Sequence, residues 1–133
     1  MTRSQEREQA FILLFEKSFN DDTDCDKIIE IAYETEVIEK SEFTESLFQT
    51  ACGNITFIDQ IISQYAKGRS FARISKVSLA ALRLAVCEIL YFDEIPTGVS
   101  INEAVELCKK YASEDEYAFV NGILGNAAKG EGK

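Results

Sequence analysis

The chain has 133 residues, enough for one domain with a real core, and 46% of them are apolar, which excludes a disordered polymer. It contains no histidine, and its four cysteines (Cys25, Cys52, Cys87, Cys108) form no C-x-x-C pair. Serine and cysteine triads, HExxH zinc sites and zinc knuckles are therefore out, no enzyme, metal or cofactor is expected, and the net charge of −9 makes a poor general polyanion binder.

One proline and seven glycines are too few turn-formers for a sandwich or barrel. No apolar run is long enough to span a bilayer, and the N-terminus has no secretory apolar region. A reducing cytoplasm is the expected compartment, with all four cysteines behaving as small buried apolar side chains. The charge is uneven. Residues 21–45 carry ten acids and two bases, whereas residues 67–83 carry Lys67, Arg69, Arg73, Lys76 and Arg83 and no acid. The acidic run reads as a solvated helix face or a partner-binding one.

Phe11, Leu14, Phe15 and Phe19 recur at helical spacing and predict a first helix over residues 4–19, with Ala10 and Leu13 widening its stripe and Ser4 as cap. Arg3 and Arg7 lie one turn apart at its start, on the polar side. Cations there oppose the helix dipole, so they read either as holders of an anion or as solvated surface. Asp24 is expected to cap a helix over 25–36 that buries Ile28, Ile31, Ala32 and Thr35. Ser41 then caps one long helix with Phe43, Leu47, Phe48, Ala51, Ile55, Ile58, Ile62 and Tyr65 inward, kinked at Gly53-Asn54 and ended by Lys67-Gly68. A short turn over 69–74 follows.

Ser75 caps a helix over 76–92 that is apolar around most of its circumference, the mark of a central helix. Arg83 in its middle demands an acidic or carbonyl partner. Asp93 to Gly98 breaks the helix around Pro96. Ser100-Ile101-Asn102-Glu103 and Ser113-Glu114-Asp115-Glu116 both read as capping boxes. They predict a helix to about Ala112 burying Ile101, Ala104, Val105 and Cys108, and a last helix to about Ala128 with Phe119, Val120, Ile123, Leu124 and Ala127 inward. From Lys129 a Gly-rich disordered tail is expected. The sum is an all-α bundle of six to seven helices forming a single domain over residues 1–133.

The residues then carry a resemblance. R-I-S-K-V-x-x-A-x-L-R-L-A-V-x-E-I-L (Arg73 to Leu90), Ile95-Pro96, V-S-I-N-E-A-V-E-L-C-K-K-Y (Val99 to Tyr111) and F-V-N-G-I-L (Phe119 to Leu124) resemble the NusB family of transcription antitermination factors. Arg7 to Phe15 and Asn54 to Ile62 agree more weakly. The resemblance implies two small helical subdomains. It implies binding to the boxA element of nascent ribosomal RNA, together with the NusE-type small-subunit ribosomal protein, within the transcription elongation complex. A homodimer is also within its range. It spans nearly the whole chain, which disfavours the RNA methyltransferases that carry such a domain ahead of a catalytic one.

Carried over by position, the resemblance places RNA contacts at Arg3, Arg7, Asp115 and Phe119, and partner contacts at Ser75, Ser78 and Leu79. Arginines suit phosphate, and an aromatic with an acceptor suits an unstacked base of single-stranded RNA. Core packing is the other role open to Phe119, and Tyr117 is a further stacking candidate without family warrant. Four departures stand out: two arginines where many members have four or five basic residues, Arg69 at a frequent Trp, Ser78 at a frequent acid, and Ala118 at a frequent base. They predict weak RNA binding by the chain alone. The alternative is a protein-interaction module with little RNA binding of its own.

Overall fold

The computed structural model describes residues 1–132 and holds seven α-helices, with no strand among them. They are α1 Arg3–Phe19, α2 Cys25–Glu34, α3 Glu42–Gly53, α4 Ile55–Tyr65, α5 Lys76–Tyr91, α6 Thr97–Tyr111 and α7 Glu114–Gly130, with a single 3₁₀ turn at Phe71–Arg73. The chain is all-α, as expected. Helices α1–α3 make one small bundle and α4–α7 a second, and α5 packs on members of both.

The apolar circumference of α5 explains its place. Every residue from Ser78 to Ile89 is buried, including Arg83 and Glu88. Arg83 finds the partner its burial requires: Nε and Nη2 donate to the two carboxylate oxygens of Asp59 on α4, at 2.9 and 2.8 Å.

Several local expectations are corrected, each for a physical reason. The cap of α1 is Thr2, not Ser4. Its Oγ1 accepts from the Gln5 N–H at 3.1 Å and the Gln5 side chain returns a bond to the Thr2 N–H at 2.7 Å, a reciprocal pair that begins the helix one residue earlier. The predicted long helix is two helices. Asn54 caps the end of α3 by donating its side-chain amide to the Thr50 carbonyl at 2.8 Å, and the chain restarts at Ile55. The buried stripe of α2 is Cys25, Ile28, Ile29 and Ala32, a proper i, i+3, i+4, i+7 set, which leaves Ile31 and Thr35 outside. Phe19 is exposed at the tip of α1.

Neither Ser/Glu capping box forms. Helix α6 begins at Thr97, so Ser100 and Glu103 lie inside it and serve other partners. Ser113 occupies the cap position of α7 without a side-chain bond, and Glu116 is engaged elsewhere. Helix α7 extends through Gly130 instead of fraying at Lys129, and Tyr65 Oη donates to Glu131 at 3.0 Å. Lys133, the end of the predicted tail, lies outside the described residues.

Two of the four cysteines are not thiols. Cys25 and Cys52 form a disulfide that ties α2 to α3. Cys87 and Cys108 stay free and buried, where loss of hydration pushes their thiols up to about 12 and about 11.

Candidate nucleic-acid interface

The first candidate cluster lies at the start of α1. Arg3 keeps 57% of its side chain exposed. Its guanidinium sits 4.0 Å from the centroid of the Phe43 ring and pairs with Glu6 at 3.3 Å. Arg7 is different: it is 4% exposed and not on a polar face at all. Its Nε donates to Glu88 Oε2 at 2.6 Å and its Nη1 to Glu103 Oε1 at 3.2 Å. Glu88 also accepts from Ser100 Oγ at 2.7 Å. The carboxylate on the otherwise apolar α5 demands a cation, and α1 supplies it; the helix-start arginine is spent on joining α1, α5 and α6.

Between α1 and α6 runs a cleft of about 430 Å³ lined by Ser4, Arg7, Glu8, Glu103, Lys109 and Lys110, among others. Lys110 donates to Glu8 at 2.7 Å. The hydrogen bonds from Lys110 and Tyr111 hold the Glu8 carboxyl below its ordinary value, against the upward push of burial. The Lys109 ammonium lies 5.4 Å from the Tyr117 ring on α7, so the basic side of this cleft reaches the first turns of the last helix.

The second cluster is there. Asp115 is exposed at the start of α7. Phe119, one turn further on, is half-buried against the core, and the Arg69 guanidinium lies 3.8 Å from its ring centroid. Arg69 Nη1 donates to Glu116 Oε2 at 3.0 Å, and Glu116 Oε1 accepts from Ser78 Oγ at 2.9 Å. Of the three predicted partner residues only Ser75 reaches the surface, as the cap of α5. Ser78 and Leu79 are buried, the first anchoring Glu116 and the second in the core. Arg7 and Phe119 thus belong to two clusters, one on α1 and one on α7, and α6 packs on both helices.

Burial raises the Glu116 carboxyl, but hydrogen bonds from Ser75, Ser78 and Arg69 outweigh it and leave the group below its ordinary value of 4.5. A depressed folded value stabilises the fold above the unfolded value and loses that contribution as pH falls through the folded one. Glu116→Gln should therefore lower Tm at pH 7, and the difference from wild type should close as pH drops below about 4. A gap independent of pH would show that the carboxylate charge does not hold the cluster.

Phe43 packs inward as expected but with Arg3 over its ring, and sequence reasoning missed the cleft that Lys109 and Lys110 line. The lysines carry the usual signal of cations closing a helix, which hid the cleft they line.

Comparison with known proteins places the chain in a family. The NusB family model matches residues 4–129. The transcription antitermination protein NusB of Ruminiclostridium cellulolyticum is 41% identical over 133 residues, covering 98% of this chain and 91% of that protein. The one from Natranaerobius thermophilus is 39% identical over 132 residues, with 96% and 95% covered. Among solved structures, T. maritima NusB superimposes with a TM-score of 0.84 at 34% identity, covering 97% of this chain and 92% of that one. A structure of the antitermination factors NusB and NusE in complex with dsRNA contains a chain matching at TM-score 0.85 and 30% identity, with 96% of each chain covered.

Proposed function

The chain belongs to the NusB family, and we propose that it works as a transcription antitermination factor in the cytoplasm, not as an enzyme. Its ligand is the boxA element of nascent ribosomal RNA transcripts, bound together with a NusE-type ribosomal protein inside the elongation complex. The observation that carries this reading is the match, over 96% of each chain, to a chain of a structure of the antitermination factors NusB and NusE in complex with dsRNA. The site supports it: exposed Arg3 at the tip of α1, the lysine-lined cleft beside it, and Asp115 and Phe119 at the start of α7. Arg7 contributes from beneath, fixing the tip of α1 to α5 and α6. Ser75 is where the ribosomal partner would touch the start of α5, over buried Ser78 and Leu79.

A titration of fluorescent boxA-type single-stranded RNA, with and without the ribosomal protein and at two salt concentrations, tests the proposal. The partner should tighten binding. Phe119→Ala should weaken it by about tenfold, the size of one lost base–aromatic stack. Arg3→Ala should reduce the salt slope by about 0.7. Equal affinity for an unrelated RNA of the same length would overturn the boxA reading. Because only one of the two helix-start arginines is exposed, a second reading is live: capture of the ribosomal protein with no RNA shift would make the chain an interaction module of the same complex.

A further inference from the structure

We infer that the stacking surface this chain offers RNA is not the bare Phe119 ring but the guanidinium plane of Arg69 laid upon it, which makes Arg69 an RNA-binding residue; the inference rests on the RNA-binding reading above. Phe119 meets the core with part of its surface, and the Arg69 guanidinium lies 3.8 Å from its ring centroid. That places the cation over the ring face, well inside the reach of a cation–π contact. An unstacked base arriving at Phe119 must either displace Arg69 or stack on it.

The surroundings favour the second course. Arg69 is held by Glu116 at 3.0 Å. Glu116 cannot follow a departing guanidinium, because the buried Ser78 hydroxyl grips its other oxygen at 2.9 Å and Ser75 also donates to it. Displacement would break an ion pair and a cation–π contact and leave a half-buried carboxylate without its cation. Staying in place loses nothing. The Arg69 side chain is still 29% exposed, so part of it faces solvent and can meet a ligand. A guanidinium plane stacks a base as an aromatic ring does, and it adds the positive charge that an adjacent phosphate needs.

The neighbourhood is built for that phosphate. Arg69 opens onto a concave surface of about 560 Å³ shared with Gly68, Ser70 and exposed Arg73. Gly68 has φ +83°, a left-handed turn that a side chain would strain, and it swings the chain out of α4 into this basic segment. From Lys67 to Lys76 there are four cations and no acid. At the start of α1, by contrast, Arg7 is buried and paired. The exposed cations that α1 lacks are supplied here by Lys67, Arg73 and Lys76, flanking an Arg69 whose own charge is shared with Glu116. The ligand class is an unstacked base of single-stranded RNA with its flanking phosphate toward Arg73.

The test uses the full chain with boxA-type RNA carrying 2-aminopurine, whose fluorescence reports stacking, alongside binding isotherms at two salt concentrations. Arg69→Ala should weaken binding by about tenfold and reduce the quenching. Arg69→Lys, which keeps the charge but not the plane, should recover the salt slope and not the quenching. The Arg69→Ala/Phe119→Ala double variant should bind about as well as either single one, since both remove the same platform. Arg73→Ala should lower the salt slope by about 0.7 and leave quenching intact. Loss of binding in Phe119→Ala with none in Arg69→Ala would leave the RNA-binding reading standing and overturn this inference. Tighter binding by Arg69→Ala would make Arg69 an occluding lid and also overturn it. Full quenching in Arg69→Lys would remove the role of the plane. A wild-type chain that binds no RNA would remove both readings together.

Discussion

Replacing Glu88 with alanine should destabilise the fold by about 3–5 kcal/mol, the range for removing one partner of a buried ion pair. Glu88 is 1% exposed on the central helix and accepts from Arg7 at 2.6 Å and from Ser100 at 2.7 Å. Three helices meet at that carboxylate. Without it the Arg7 guanidinium remains buried with only Glu103, at 3.2 Å, to balance its charge. A fall in Tm on the order of 10–20 °C should follow for a chain of this size. Arg7→Ala should cost a similar amount, because it strands the carboxylate. Replacing both with Met or Leu should be much milder, since an apolar pair of equal volume avoids desolvating two charges. Urea denaturation of wild type, the two single variants and the apolar double variant compares these costs directly. A single variant within about 0.5 kcal/mol of wild type would show that the network carries no stability. The result also decides how RNA assays are read. A charge reversal at Arg7 would unfold the chain before it reported on phosphate, so Arg3 is the clean probe of the α1 tip.

What was legible in the sequence follows from which signals are local. Periodicity located the helices, and the all-round apolar character of residues 76–92 identified the central one. The demand of Arg83 for an acid was readable because burial follows from that same character; that the acid is Asp59 on α4 was not. The capping errors at α6 and α7 share one cause. Ser100, Glu103 and Glu116 all look like capping residues in sequence, and all three are taken by long-range charges: Glu88, Arg7 and Arg69 respectively. A cap bond contributes about 1 kcal/mol, whereas a stranded buried charge costs several, so the tertiary partner wins. Arg7 was misplaced for the same reason: nothing within one turn of it reveals a carboxylate 81 positions away. In the candidate site, Asp115 and Phe119 could be placed at the start of α7 from the sequence. Arg69 showed itself as a member of the acid-free basic run 67–83 and as a departure from the family, but its place over the Phe119 ring needed the fold.

Opening the Cys25–Cys52 bridge should destabilise the chain by about 3 kcal/mol, and the loss should be concentrated in α2. The bridge closes a 27-residue separation, for which chain entropy alone predicts roughly 3.5 kcal/mol, native-state relaxation offsetting part of it. Helix α2 is peripheral: it packs on α1 and α3, and it lies in the acidic stretch where ten carboxylates face two lysines. Its own hold is Cys25, Ile28, Ile29 and Ala32, a single stripe on a ten-residue helix. Like-charge repulsion along the segment works against that stripe, so the covalent tie matters more here than it would in the core. A reducing compartment keeps thiols open, and there α2 would depend on the stripe alone. Hydrogen exchange with and without reductant should show α2 amides losing protection first, with α5 unchanged. Alkylation of the reduced native chain should label Cys25 and Cys52 before Cys87 and Cys108, whose thiols burial holds far above neutral pH. Cys25→Ser/Cys52→Ser should reproduce the reduced state and be insensitive to reductant. If that variant and the reduced wild type both melt with the oxidised protein, the stripe of four residues suffices and the bridge adds nothing to the fold.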